Sequence, residues 1–154
     1  MEIKNLSQNL QYAKIAAEWA YKEFIENKRN DIDFEYVYNA FKNRKNSSLP
    51  MTLIAIEANK CIGMVTLFEN DLKTRPDLTP WLGALYVEVS SRNKKVAQEL
   101  IQNLLDIANV NGYKEVFLRT EHAAEYYEKR GWHFQFETVD EVGVETKVYK
   151  KRLY

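Results

Sequence analysis

Three cations, Arg92, Lys94 and Lys95, stand together where an apolar run of strand character, residues 82–89, gives way to a segment of helical periodicity. In that segment Val96, Leu100, Ile101, Leu104, Leu105 and Ala108 recur on one face. Between the two lies the polar turn Ser90-Ser91-Arg92-Asn93, so the stretch reads as strand, turn, helix. A helix start exposes unpaired amides and the positive end of the macrodipole, and each cation placed there costs a few tenths of a kcal/mol to ~1 kcal/mol. An anion seated on the turn reverses the sign of that cost. Free amides converging at a helix start bind phosphate, and three added cations make this turn a candidate phosphate cradle. The other reading of the same residues is a solvated basic patch on an ordinary helix.

Other reactive side chains are few. Cys61 is the single cysteine, which excludes an internal disulfide or a thiolate metal cluster, and beside Ile62 in an apolar run it reads as a small core residue. His122 and His133 are too few and too badly spaced for zinc, so no metal is expected. The chain has 154 residues, with 22 basic residues balanced by 22 acidic ones, which leaves no global field to hold nucleic acid or an anionic membrane. Any anion site must be local. No apolar run approaches the ~20 residues of a membrane span, and the first residues lack the layout of a secretory signal. A cytoplasmic protein with one core, spanning residues 1–154, is the expectation.

The elements that must position the turn follow in order. Residues 1–5 suggest a short first strand. Leu10, Ile15, Ala16, Trp19, Ala20, Glu23 and Phe24 trace one stripe of an amphipathic helix predicted from about Ser7 to Asn27. Asp31 or Asp33 can cap a second helix carrying Phe34, Val37, Tyr38 and Phe41, whose aromatic stripe reads as core. Residues 51–56 and 61–68 form a predicted hairpin with turn chemistry at Asn59, and a long polar loop with two prolines, residues 69–80, leads into the central strand. After Gly112, a helix stop, come a strand at 114–119, a short helix to Arg130 closed by Gly131, and two strands at 132–139 and 144–152 around Val142-Gly143. Alternation puts Tyr86 and Glu88 on one strand face, opposite Leu85 and Val87.

With that order in view, the chain resembles the GNAT superfamily of acetyl-CoA-dependent N-acetyltransferases. LYVEVSSRNKKVAQELI, residues 85–101, resembles the family's acetyl-CoA motif, a strand followed by Arg/Gln-x-x-Gly-x-Gly/Ala at a helix start. EYYEKRGW, residues 125–132, resembles its later tyrosine motif, and RPDLTPWL, residues 75–82, is similar to the loop of a bacterial subgroup. The resemblance implies an α+β domain: a mixed, mostly antiparallel sheet of six or seven strands flanked by about four helices. One position departs from the pattern, because Lys95 replaces the motif's first glycine. Glycine there lets backbone approach a pyrophosphate, and a lysine is tolerated if residue 95 is already helical.

The resemblance further implies a division of roles. Acetyl-CoA is the expected donor and an amine-bearing small molecule the expected acceptor, a peptide terminus being the lesser choice; a homodimer follows by analogy only. Arg92, Asn93, Lys94, Lys95, Val96, Ala97 and Gln98 would hold the pyrophosphate, while the backbone of Leu85, Tyr86 and Val87 would pair with the pantetheine arm as an added strand does. Tyr127 aligns with the family's general acid, and an amide near Val87 would stabilise the developing oxyanion. Glu88 is the expected base, with Glu69, Asp71, Asp77, Glu121 or a water chain open as others. Glu69 or Asp71, with Trp81, is expected in the acceptor cleft. The missing glycine leaves a non-catalytic acyl-CoA-binding module as the alternative.

Overall fold

The computed structural model describes residues 1–154. Seven strands, β1 (Glu2–Asn5), β2 (Met51–Glu57), β3 (Lys60–Phe68), β4 (Trp81–Val87), β5 (Glu115–Thr120), β6 (His133–Val139) and β7 (Glu145–Arg152), form one sheet in the order β1-β2-β3-β4-β5-β7-β6. Every neighbouring pair is antiparallel except β4 and β5. Four α-helices, α1 (Ala13–Ala20), α2 (Phe34–Lys42), α3 (Val96–Val110) and α4 (Ala124–Glu128), flank it. This is the α+β architecture that the resemblance implies.

The first helix differs from its expected form. Residues 6–12 make two short 3₁₀ turns, because the Asn5 side-chain oxygen accepts from both the amide and the hydroxyl of Ser7 and closes a local turn in place of an α-helical start. α1 then runs to Ala20 and passes into a π-helical turn, Tyr21–Ile25. Asp33 is the cap of α2, accepting from the Tyr36 amide at 2.9 Å. Ala58 and Asn59 both take positive φ, the pairing a two-residue hairpin of type I′ needs.

Two apolar layers sandwich the sheet. α3 buries Val96, Leu100, Leu104 and Leu105 against Leu53, Val65, Val116 and Leu118 on one face. On the other, α1 and α2 pack Ala16, Ala17, Val37 and Phe41 against Ile54 and Met64. A smaller cluster of Leu72, Trp81, Phe117 and Val148 pins the 69–80 loop. Cys61 is buried as expected of a core residue, and burial pushes its thiol up to about 11.

Candidate active site

The site begins where the sheet comes apart. β4 and β5 share a single register pair, Trp81 with Phe117, and past it the two parallel strands diverge. A bulge helps turn β4: its register against β3 passes from Met64 opposite Tyr86 to Thr66 opposite Gly83, and Ala84 sits at φ +49°. The strand leaves the sheet at Val87, two residues before the expected end, and Val89–Ser91 form a 3₁₀ turn. Two cavities of about 550 Å³ and 670 Å³ flank this split and meet at Leu85.

The first cavity is walled by the β4 edge and the α3 start. The Glu88 amide bonds to the Ile62 carbonyl of β3, and the Val87 carbonyl accepts from Arg92 Nε at 2.9 Å. By alternation the main-chain groups of Leu85 and Val87 face the gap, whereas those of Tyr86 face β3, which removes Tyr86 backbone from the expected pairing. Tyr86 instead offers its ring to Trp19, centroids 5.1 Å apart, and to the Arg92 guanidinium at 5.4 Å.

α3 has no side-chain cap, and its first main-chain bond runs from the Glu99 amide to Lys95. The amides of Val96, Ala97 and Gln98 are therefore left for a ligand. The condition under which a lysine is tolerated is not met: Lys95 is not helical but sits at φ +65° in the left-handed region, which glycine adopts without steric cost. Asn93 takes φ +63°. Of the residues expected at the pyrophosphate, all line this cavity except Lys94, which is exposed off its wall. Sequence reasoning missed the opposite wall. There the Arg130 guanidinium lies 3.7 Å over the Tyr126 ring, with its Nε buried and without a partner. Tyr126 lines the cavity too. Open amides, Arg92, Lys95 and the Arg130 guanidinium on the cavity wall fit a diphosphate, and an unpaired strand edge fits an amide-bearing arm.

The second cavity is walled by side chains from many elements. Asp71, in the loop just before the buried anchor Leu72, faces it with neither oxygen hydrogen-bonded or ion-paired, close enough to β4 that a Cβ on Gly83 would lie 3.1 Å from Oδ2. Burial, reinforced by Glu141 and Glu121 and opposed by Arg119, pushes its carboxyl up to about 7. Tyr127 lines the same cavity, its ring packed on Trp132 and Tyr126, and burial pushes its phenol up to about 12. Apart from the exposed Glu23, the other carboxylates on the wall are committed. Arg119 pairs with Asp140 at 3.1 Å, Arg29 with Glu141 at 3.3 Å and Lys28 with Glu121 at 3.8 Å, and Glu121 also accepts from Thr146.

Three expected residues lie elsewhere. Glu88 stands beyond the strand end, paired with Lys60 at 3.1 Å, on the wall of neither cavity. The alternation that placed it beside the site stops at Val87. Glu69 is exposed and lines neither cavity. Trp81 is fully buried against Phe117, its indole N–H donating to Leu78 at 2.7 Å, so it anchors the loop from below. Glu23 and Phe24, expected in the core stripe of the first helix, are instead exposed at the junction of both cavities, carried there by the π turn. A π turn leaves no mark in the sequence.

No curated protein matches the sequence. Among solved structures, an aminoglycoside 6′-N-acetyltransferase complexed with coenzyme A shares the fold at TM-score 0.76 and 15% identity, over 99% of this chain and 97% of that one. A mutant spermidine N-acetyltransferase from Vibrio cholerae does so at 0.73 and 15%, over 99% and 95%, and an N-acetyltransferase from Staphylococcus aureus at 0.72 and 16%, over 99% and 98%. The sequence pattern of the acetyltransferase (GNAT) family matches residues 14–132, and with the divergent β4–β5 pair and the open α3 start inside that range, the chain belongs to this family of acetyl-CoA-dependent N-acetyltransferases.

Proposed function

We propose that the enzyme transfers an acetyl group from acetyl-CoA to a primary amine of a small molecule in the cytoplasm, by direct attack of the amine on the thioester. The observation that carries this reading is the meeting of the two cavities at Leu85, one rich in unpaired donors and the other holding an unpaired carboxylate. Acetyl-CoA supplies a thioester, an acyl group already activated toward an amine. The α3 amides, Arg92, Lys95 and Arg130 hold its diphosphate, and the gap-facing groups of Leu85 and Val87 align its arm.

Asp71 accepts the proton that an acceptor ammonium must lose. A carboxyl near 7 is matched to that task at neutral pH, which an ordinary carboxylate near 4 is not. Tyr127 keeps its proton throughout the neutral range and acts as a hydrogen-bond donor toward the leaving sulfur. The apolar surroundings that raise its phenol also raise a thiol placed beside it, which keeps the gap between the two from widening by the full shift. The 75–82 loop keeps its likeness to the bacterial subgroup as part of this reading.

Titration calorimetry with acetyl-CoA and desulfo-CoA tests the donor half, and no binding at millimolar concentration overturns it. Coenzyme release with an amine panel tests the transfer. Tyr127→Phe is expected to lower kcat about 10²-fold with acetyl-CoA affinity unchanged. An enzyme that binds acetyl-CoA and releases none with any amine is a binding module.

A further inference from the structure

Pairing off the charges of the second cavity leaves a remainder. Lys28, Arg29 and Arg119 each face a carboxylate, and Glu23 lies at the exposed rim. Two opposite charges on the wall then have no partner: Asp71 and Arg44. Arg44 follows α2 and is held firmly. Its guanidinium stacks 4.3 Å over Phe41, Nε donates to Thr52 Oγ1 at 2.9 Å and Nη1 to the Ala40 carbonyl at 3.3 Å. Those bonds use two of five N–H donors, and no carboxylate lies within ion-pair distance. Nη2 makes no hydrogen bond, and Arg44 lines the cavity.

Phe68 connects the two charges. The Arg44 guanidinium lies 5.7 Å from its ring centre, and its Cε2 is 2.9 Å from where a Cβ on Gly83 would sit, itself 3.1 Å from Asp71 Oδ2. One aromatic ring thus lies near both a cation and a carboxylate that line a single cavity. A partly desolvated guanidinium without a counter-ion is unfavourable, and an anion beside it removes that cost. Burial without a compensating carboxylate pulls the Arg44 guanidinium down to about 10.

We infer that the acceptor is zwitterionic: an amine that also bears a carboxylate, the ammonium seated toward Asp71 and the carboxylate on Arg44. A single planar cation with free N–H groups matches a monoanionic carboxylate better than a dianionic phosphate ester. This inference rests on the transfer reading above and names its substrate class.

The test compares ω-amino acids, from glycine to 6-aminohexanoate, with alkylamines of the same length, by coenzyme release and by calorimetric binding. The expected result is at least a tenfold preference in kcat/KM for the acid at the best length. In Arg44→Met or Arg44→Gln the ratio of acid to alkylamine falls below about twofold, through KM, with acetyl-CoA affinity retained as the control for folding. Gln keeps a donor at the position of Nε, toward Thr52, so it stands in if Met disturbs the fold. Preference for alkylamines or polyamines in the unsubstituted enzyme, or a ratio unmoved by either substitution, overturns the inference. If no amine releases coenzyme, binding decides. A preference for the acid that Arg44→Gln abolishes upholds the anion site and ends the transfer reading; no preference ends both.

Discussion

The two cavities that meet at Leu85 are made of different material. The first is mainly backbone: the α3 amides, the gap-facing edge of β4 and two left-handed residues, Asn93 and Lys95, all within one continuous stretch of chain. The second is side chain, drawn from the α1–α2 region, the 69–80 loop, β5, the α4 approach and the β6–β7 turn. A backbone site is fixed by the fold, so it can persist among proteins that share only 15–16% identity and the same architecture. A side-chain site can be rewritten at each position without disturbing that fold. Under the proposed function, the contrast assigns donor recognition to the architecture and acceptor recognition to the side chains of this chain.

Substitutions can break the contrast in order of expected size. Asp71→Asn comes first. It is expected to lower kcat/KM for an amine by about 10²- to 10⁴-fold at pH 7, with acetyl-CoA affinity unchanged in calorimetry. The same substitution should raise thermal stability at pH 8 and not at pH 4. The folded carboxyl titrates near 7 and the unfolded one near 4, so the folded state binds more protons between them and loses stability as pH rises through 7. A variant that loses activity and also loses stability at pH 8 would remove Asp71 from this role.

Arg92→Ala probes the other cavity. Loss of a charge-assisted contact is expected to weaken acetyl-CoA binding by about 10- to 100-fold, most at low salt, with little change in the KM of a saturating acceptor. An effect on the acceptor of equal size would mean that the two cavities are not separable. Lys95→Gly is the smallest and sharpest case. A left-handed non-glycine residue costs about 1–2 kcal/mol and glycine's extra chain entropy offsets about 0.5–1 of that, so urea unfolding should show a net gain of about 0–1.5 kcal/mol. Acetyl-CoA affinity should fall less than tenfold, by an amount that salt removes, because the lost ammonium is a point charge and not part of the backbone cradle.

The same contrast explains what could be read from the residues alone. The strand-turn-helix stretch carries its own positional information, since helical periodicity and the cations at its start lie adjacent in sequence. Nine of the ten residues assigned to the coenzyme from it line one cavity. The acceptor cavity had no such local signal. Asp71 and Glu69 differ by two positions in one loop, and only the burial of Leu72 decides which faces inward. Trp81 looked like a cleft wall and is a core anchor, because the loop it supports folds back over it. Glu88 failed because strand alternation ends at Val87. Arg44 sits in the polar stretch after α2 and is legible only once Thr52, Phe41 and Phe68 are brought around it.

The single Trp81–Phe117 pair has a mechanical corollary. The sheet is two panels, β1 to β4 and β5 to β6, stitched along a seam one residue pair wide and stiffened by Phe117 donating to Pro80 and by the side chains beneath. A molecule lying along Leu85–Val87 and reaching Arg130 spans both panels and acts as a strut across the seam.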